Sequence, residues 1–101
     1  MNHNLKTVRP YIDDVRSGIK PFEVRKDDRN YQVGDTLTLQ SYENGEYLKD
    51  DPFTVIITYI LGRTDNERIF VRDGYVILGI KSLLRSIDNG EFETGGEQIS
   101  R

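Results

Sequence analysis

The segment Phe53-Thr54-Val55-Ile56-Ile57-Thr58-Tyr59-Ile60-Leu61 decides the fold. Read with a strand's two-residue period, it puts Phe53, Val55, Ile57, Tyr59 and Leu61 on one face, and Ile56 and Ile60 on the other. A strand that is apolar on both faces must be covered on both, so it takes a central place in its sheet. The surrounding segments are shorter and more polar, and they supply its neighbours.

Upstream, Asp50-Asp51-Pro52 breaks the chain, and Asn44-Gly45 followed by Glu46-Tyr47 is a strong hairpin signal. Thr36 to Tyr42 reads as a strand with Leu37 and Leu39 inward and Thr36, Thr38 and Gln40 outward, entered from a turn at Val33-Gly34-Asp35. Phe22 to Lys26 is another strand, followed by a polar loop, Asp27 to Asn30. At the start, His3 to Val8 reads as a short strand with His3, Leu5 and Thr7 on one side. Pro10 suits the first turn of a helix. Tyr11, Ile12, Val15 and Ile19 recur at helical spacing, and Ser17-Gly18 supplies the stop. Asp13 and Asp14 near the start and Arg16 near the end suit the helix dipole.

Downstream, Gly62 to Asn66 is a loop, and Arg72-Asp73-Gly74 turns into a last strand, Tyr75 to Lys81. Ser82 to Ile87 reads as a final helical turn, which closes a domain over residues 1–87. The polar, Gly-rich residues 88–101 read as a flexible tail. Five to six short strands around one helix near the N-terminus define an α+β chain. The expected architecture is a small, mostly antiparallel curled sheet or open barrel, with the helix plugging one end.

A chain of 101 residues has room for one core. The net charge of -3 disfavours non-specific duplex binding, which needs a basic surplus to neutralise phosphates. The charge is uneven, however. Residues 1–34 hold Lys6, Arg9, Arg16, Lys20, Arg25, Lys26 and Arg29 against five acidic side chains, so an anionic partner should meet this third. The absence of Cys excludes a disulfide framework, a thiolate metal site and a cysteine nucleophile. With a single His and no carboxylate ligand spacing, no metal and no cofactor is expected. No apolar run is long enough to span a bilayer, so no membrane partner is expected and a cytoplasmic bacterial or phage protein is the plain reading. A monomer is assumed.

The densest chemistry lies in Gly18-Ile19-Lys20-Pro21-Phe22-Glu23-Val24-Arg25-Lys26-Asp27-Asp28-Arg29. If Phe22 and Val24 face the core, Glu23 and Arg25 share the other face with Cα atoms about 6.5–7 Å apart. They then either pair with each other on a half-exposed sheet or line a cleft, where Arg25 offers a bidentate contact to phosphate or a base edge. Lys20, extended before Pro21, is either a solvated lysine or a phosphate contact. Lys26, Asp28 and Arg29 form either a solvated turn or further contacts, with Arg29 the better phosphate ligand. Tyr31 is either core or a stacking surface. A lone strand histidine such as His3 is more often structural than catalytic. Tyr59 and Tyr75 read as core, Thr54 and Thr58 as ordinary strand residues, and Glu91 and Glu93 as solvated tail carboxylates.

The pattern Gly18-x-Lys20-x-x-Glu23-x-Arg25, followed by Val33-Gly34-Asp35, resembles the ASCH family of the PUA-like superfamily of small β-barrels. His3-x-Leu5-Lys6, Arg25 to Arg29 and Gly74 to Ile80 extend the likeness over about residues 3–81, and it is similar to an uncharacterised subfamily of phages and Gram-positive bacteria. The resemblance implies a PUA-like pseudo-barrel with a cleft beside the early helix that binds RNA or nucleotides. Some members are amidohydrolases of acylated nucleosides, using the lysine and threonine of G-x-K-x-x-T. Here Lys20 matches that lysine, while Glu23 replaces the threonine hydroxyl.

The leading expectation is an RNA- or nucleotide-binding module using Lys20, Glu23, Arg25, Lys26, Arg29 and Tyr31. The alternatives are a hydrolase of a modified nucleoside or RNA, with Lys20 and Glu23 as base and acid, and a phage-encoded protein-interaction domain.

Overall fold

The computed structural model describes residues 1–49 and 52–83. The expected tail, the closing part of the helical turn at 82–87 and the Asp50-Asp51 pair lie outside the described residues. Among the described residues, six strands form a mostly antiparallel sheet with one α-helix near the N-terminus. They are β1 (Asn2–Thr7), β2 (Phe22–Lys26), β3 (Thr36–Glu43), β4 (Glu46–Tyr47), β5 (Phe53–Leu61) and β6 (Tyr75–Ser82), with α1 (Arg9–Ser17) between β1 and β2.

The strand order is β1-β3-β5-β6-β2, with β4 paired to β3 through the hairpin. Only the β1–β3 pair is parallel among these ladders, and β5 is central, as its two apolar faces require. The hairpin turn places Asn44 at φ 53° and Gly45 at φ 81°, the left-handed pair a tight two-residue turn demands. The core comprises Leu5, Ile12, Val15, Tyr31, Leu37, Leu39, Val55, Ile57, Val76, Leu78 and Ile80.

The simple two-residue phase of β5 fails after Ile57. Ile57 pairs with Ile80 and Tyr59 with Gly79, so Thr58 is an extra residue, a β-bulge. Val55 and Ile57 are buried, but Tyr59 is 60% exposed, while Ile60 packs against the core. Tyr59 is therefore a surface residue and not core. Gly79 makes room for the bulge, since a Cβ there would stand 3.1 Å from Thr58 Oγ1 and 3.2 Å from Tyr59 Cβ. Tyr75 is half-buried beneath the Arg72 guanidinium.

The helix buries Ile12 and Val15 but leaves Tyr11 exposed, and it ends before the exposed Ile19, so its apolar stripe is narrower than the sequence spacing suggests. Its first turn holds no acidic residue. The negative charge at that end comes instead from β3, where Glu43 Oε2 accepts from the Arg9 amide at 3.3 Å. Gly18, left-handed at φ 83°, donates its N–H to Val15 O and ends the helix.

The largest departure is in β2, whose facing is the reverse of the expected one. Glu23 is 3% exposed and the Arg25 side chain 22%, whereas Phe22 and Val24 are 42% and 52% exposed. On the inner face Glu23 and Arg25 stand opposite Leu78 and Val76. On the outer face Phe22 and Val24 stand opposite Gly79 and Ile77. The physical reason lies at the sheet's two ends. The sheet curls until β2 faces the free edge of β1, where charged side chains find partners that a dry core would not give them.

Candidate functional site

No backbone ladder joins β1 to β2 among the described residues. Two arginines bridge the gap. Arg25 Nη2 donates to Lys6 O and to Thr7 Oγ1, both at 3.1 Å, and Arg29 Nη1 donates to Asn4 O at 3.1 Å. The pairing runs antiparallel, with rising numbers on the β2 side meeting falling numbers on β1. Beside this seam opens a cleft of about 380 Å³ lined by Lys6, Thr7, Val8, Tyr11, Lys20, Glu23, Val24 and Arg25.

Glu23 is the centre of the cleft's electrostatics. Its Oε2 accepts from Lys20 Nζ at 3.1 Å, and its Oε1 lies 3.4 Å from Arg25 Nη2. A buried carboxylate with no cation would be strongly destabilising, and here two cations share it. Lys20 is held from both directions. Gly18 turns the chain, the Lys20 amide donates to Asp14 O at 3.0 Å, and Pro21 O accepts from the Ile80 amide at 3.0 Å. The Lys20 ammonium also lies 5.1 Å from the Tyr11 ring centre and 5.3 Å from that of Phe22. Arg25 keeps one unmet need: its Nε is buried without a hydrogen-bond partner among the described residues. Glu23 and Arg25 are thus paired with each other and also line the cleft.

The other expected site residues go elsewhere. Lys26 is exposed and, by strand alternation, shares the outer face with Phe22 and Val24. Arg29 bridges the seam away from the cleft lining. Tyr31 is buried in the core, 1% exposed, with its ring edge-on to His3 at 4.8 Å, and burial pushes its phenol pKa up. It offers no open face for stacking. In its place the cleft has Tyr11, and it adds Lys6 and Thr7, none of which the sequence reading placed at the site. The signal for Tyr11 was available: it stands one helical turn before Val15 but next to Pro10, on the rim of the apolar stripe.

A second polar cluster surrounds Asp35. Its carboxylate accepts from His3 Nε2 at 2.8 Å, from the Gln32 amide at 3.0 Å and from the Met1 amine at 3.2 Å. These donors, the His3 hydrogen bond foremost, lower its pKa from 3.8 to about 2. His3 is accordingly a buried structural partner of Asp35. A third cluster fixes the β5–β6 connection. Arg63 grips Asp27 with two bonds, 2.9 and 2.8 Å long, and donates to Tyr31 O at 2.9 Å. The Asp27 pKa is lowered chiefly by that hydrogen bond. Glu67 Oε1 accepts from the Gly62 and Arg63 amides, bonds that hold its carboxyl below the usual range.

Among the described residues no group of three or more His, Asp and Glu side chains is placed to hold a metal ion, and no helix is long and apolar enough to cross a membrane.

Residues 2–80 match a family described as a domain of unknown function, DUF3850. The chain belongs to that family. It is also similar to an uncharacterised 12.9 kDa protein in the GpA 3′ region of Escherichia phage P2, at 44% identity over 45 residues. That match spans 45% of this chain and 41% of the phage protein.

Proposed function

We propose that the cleft binds a nucleotide or single-stranded RNA. The observation that carries this reading is the convergence of Lys20, Glu23, Arg25 and Tyr11 on one open cleft between α1, β1 and β2. Lys20 and Arg25 supply charge for a phosphate. Tyr11 offers an exposed ring for a base. Glu23 accepts from a base amino group or, by holding both cations, aims them. The resemblance of Gly18-x-Lys20-x-x-Glu23-x-Arg25 to the ASCH motif, and with it the PUA-like pseudo-barrel, supports the same assignment. So does the seam, which brings the two sheet edges together as such a barrel needs.

The test is an NMR titration with mononucleotides and short RNAs. Shifts are expected at Lys6–Tyr11 and Lys20–Arg25, weakening as salt rises. Shifts confined elsewhere, or none at low salt, would defeat the proposal.

One observation favours a second, hydrolytic reading. The Lys20 ammonium is hydrogen-bonded to Glu23, so the two acid–base candidates are in contact, and Thr7 brings a hydroxyl to the same cleft. Turnover of an acylated cytidine that is lost in Lys20→Ala and Glu23→Gln would establish it, and a protein that binds but never turns over would exclude it.

A further inference from the structure

On the outer face beyond β1 lies a second groove, of about 450 Å³, lined by Asn4, Leu5, Thr38, Gln40 and Tyr47. Its chemistry differs from that of the first cleft, because none of these side chains is charged. Tyr47 is 58% exposed, and its ring stands edge-on to Tyr42 with centres 5.0 Å apart. The β1–β3 register sets Asn4 beside Thr38 and Lys6 beside Gln40, and the hairpin sets Tyr47 opposite Tyr42. The result is an aromatic surface next to a carboxamide.

Lys6 connects the two places. It lines the first cleft, yet its ammonium rests 4.5 Å from the Tyr42 ring centre and 5.9 Å from that of Tyr47. Lys6 thus joins a cleft to a tyrosine platform, the order of groups that the base, phosphate and base of a single strand would meet. We infer that the ligand is a single RNA strand rather than a lone nucleotide. One nucleotide sits in the Lys20–Glu23–Arg25 cleft, Lys6 contacts the next phosphate, and a neighbouring base stacks on Tyr47 within reach of the Gln40 and Asn4 amides. This inference rests on the nucleotide-binding reading of the cleft.

The experiment compares a mononucleotide with a fluorescein-labelled single-stranded RNA of about eight nucleotides by fluorescence anisotropy and NMR. The wild-type chain should bind the strand more tightly than the mononucleotide. Tyr47→Ala should weaken strand binding about tenfold, the loss equivalent to ~1.4 kcal/mol, and Tyr47→Phe should restore it because the ring is kept. Tyr11→Ala should weaken both ligands. Strand affinity unchanged in Tyr47→Ala and Lys6→Ala, with Tyr11→Ala still weakened, overturns the path across Lys6 and leaves the cleft reading standing. Binding of neither ligand to the wild-type chain removes the cleft reading and this inference together.

Discussion

Two buried carboxylates, Asp35 and Glu23, occupy opposite kinds of place in this domain. Asp35 accepts from three donors drawn from different parts of the chain: a strand histidine, a turn amide and the terminal amine. Glu23 is held by the ends of two long cationic side chains that face an open cleft. The first arrangement has nothing further to bind. In the second, the carboxylate and both of its cationic partners line the cleft. Burial alone therefore does not distinguish the two carboxylates; what differs is whether their donors come from the chain's own frame or from long side chains that line a cleft.

Four measurements test that contrast. Asp35→Ala should have the largest effect on stability, lowering the unfolding midpoint by roughly 10 °C or more in calorimetry, because three donors lose their acceptor. Ligand binding by the fraction that remains folded should be unaltered. Glu23→Gln should do the converse, lowering nucleotide affinity about tenfold in anisotropy with a midpoint shift of only a few degrees. A Glu23→Gln variant that unfolds like Asp35→Ala would erase the distinction.

Acid titration gives the third outcome. The folded pKa of Asp35 lies at about 2, below its ordinary 3.8, so its stabilisation is fully present above pH 3.8 and disappears as pH falls through about 2. Asp27 and Glu67 shift in the same direction. Urea midpoints should therefore fall across that window, and Asp35→Asn should flatten the fall, whereas Glu23→Gln should leave Asp35's share of it in place. The smallest effect belongs to Arg63→Ala. Its half-exposed bond to Asp27 should be worth less than about 1 kcal/mol in urea unfolding, with faster amide exchange confined to the 62–69 loop.

The strand positions were legible because each strand carries its own period and turn chemistry. The centrality of β5 followed from its two apolar faces, and the hairpin from Asn44-Gly45. The phase of β2 was not legible, because Phe-Glu-Val-Arg-Lys alternates equally well either way and the usual rule sends Phe22 and Val24 inside. That rule fails where a strand's inner face looks across a seam and not into a core. The Thr58 bulge left no local mark, and only the cross-strand Gly79 explains how it fits. The shared face of Glu23 and Arg25 was legible in their spacing, and Lys20 was set beside them by the resemblance of Gly18-x-Lys20-x-x-Glu23-x-Arg25 to a known motif. Lys6, Thr7 and Tyr11 join them through curling of the sheet, a long-range property that spacing does not carry.

The side-chain seam also bears on what the β1 edge can pair with. A strand edge with open carbonyls is a template for another chain's strand. Here Arg25 and Arg29 occupy Lys6 O and Asn4 O, so the outer edge of β1 is already engaged and carries two positive charges. The same guanidinium that lines the cleft thus covers part of the β1 edge, and an Arg25→Ala/Arg29→Ala chain should aggregate more readily than the wild type in light scattering.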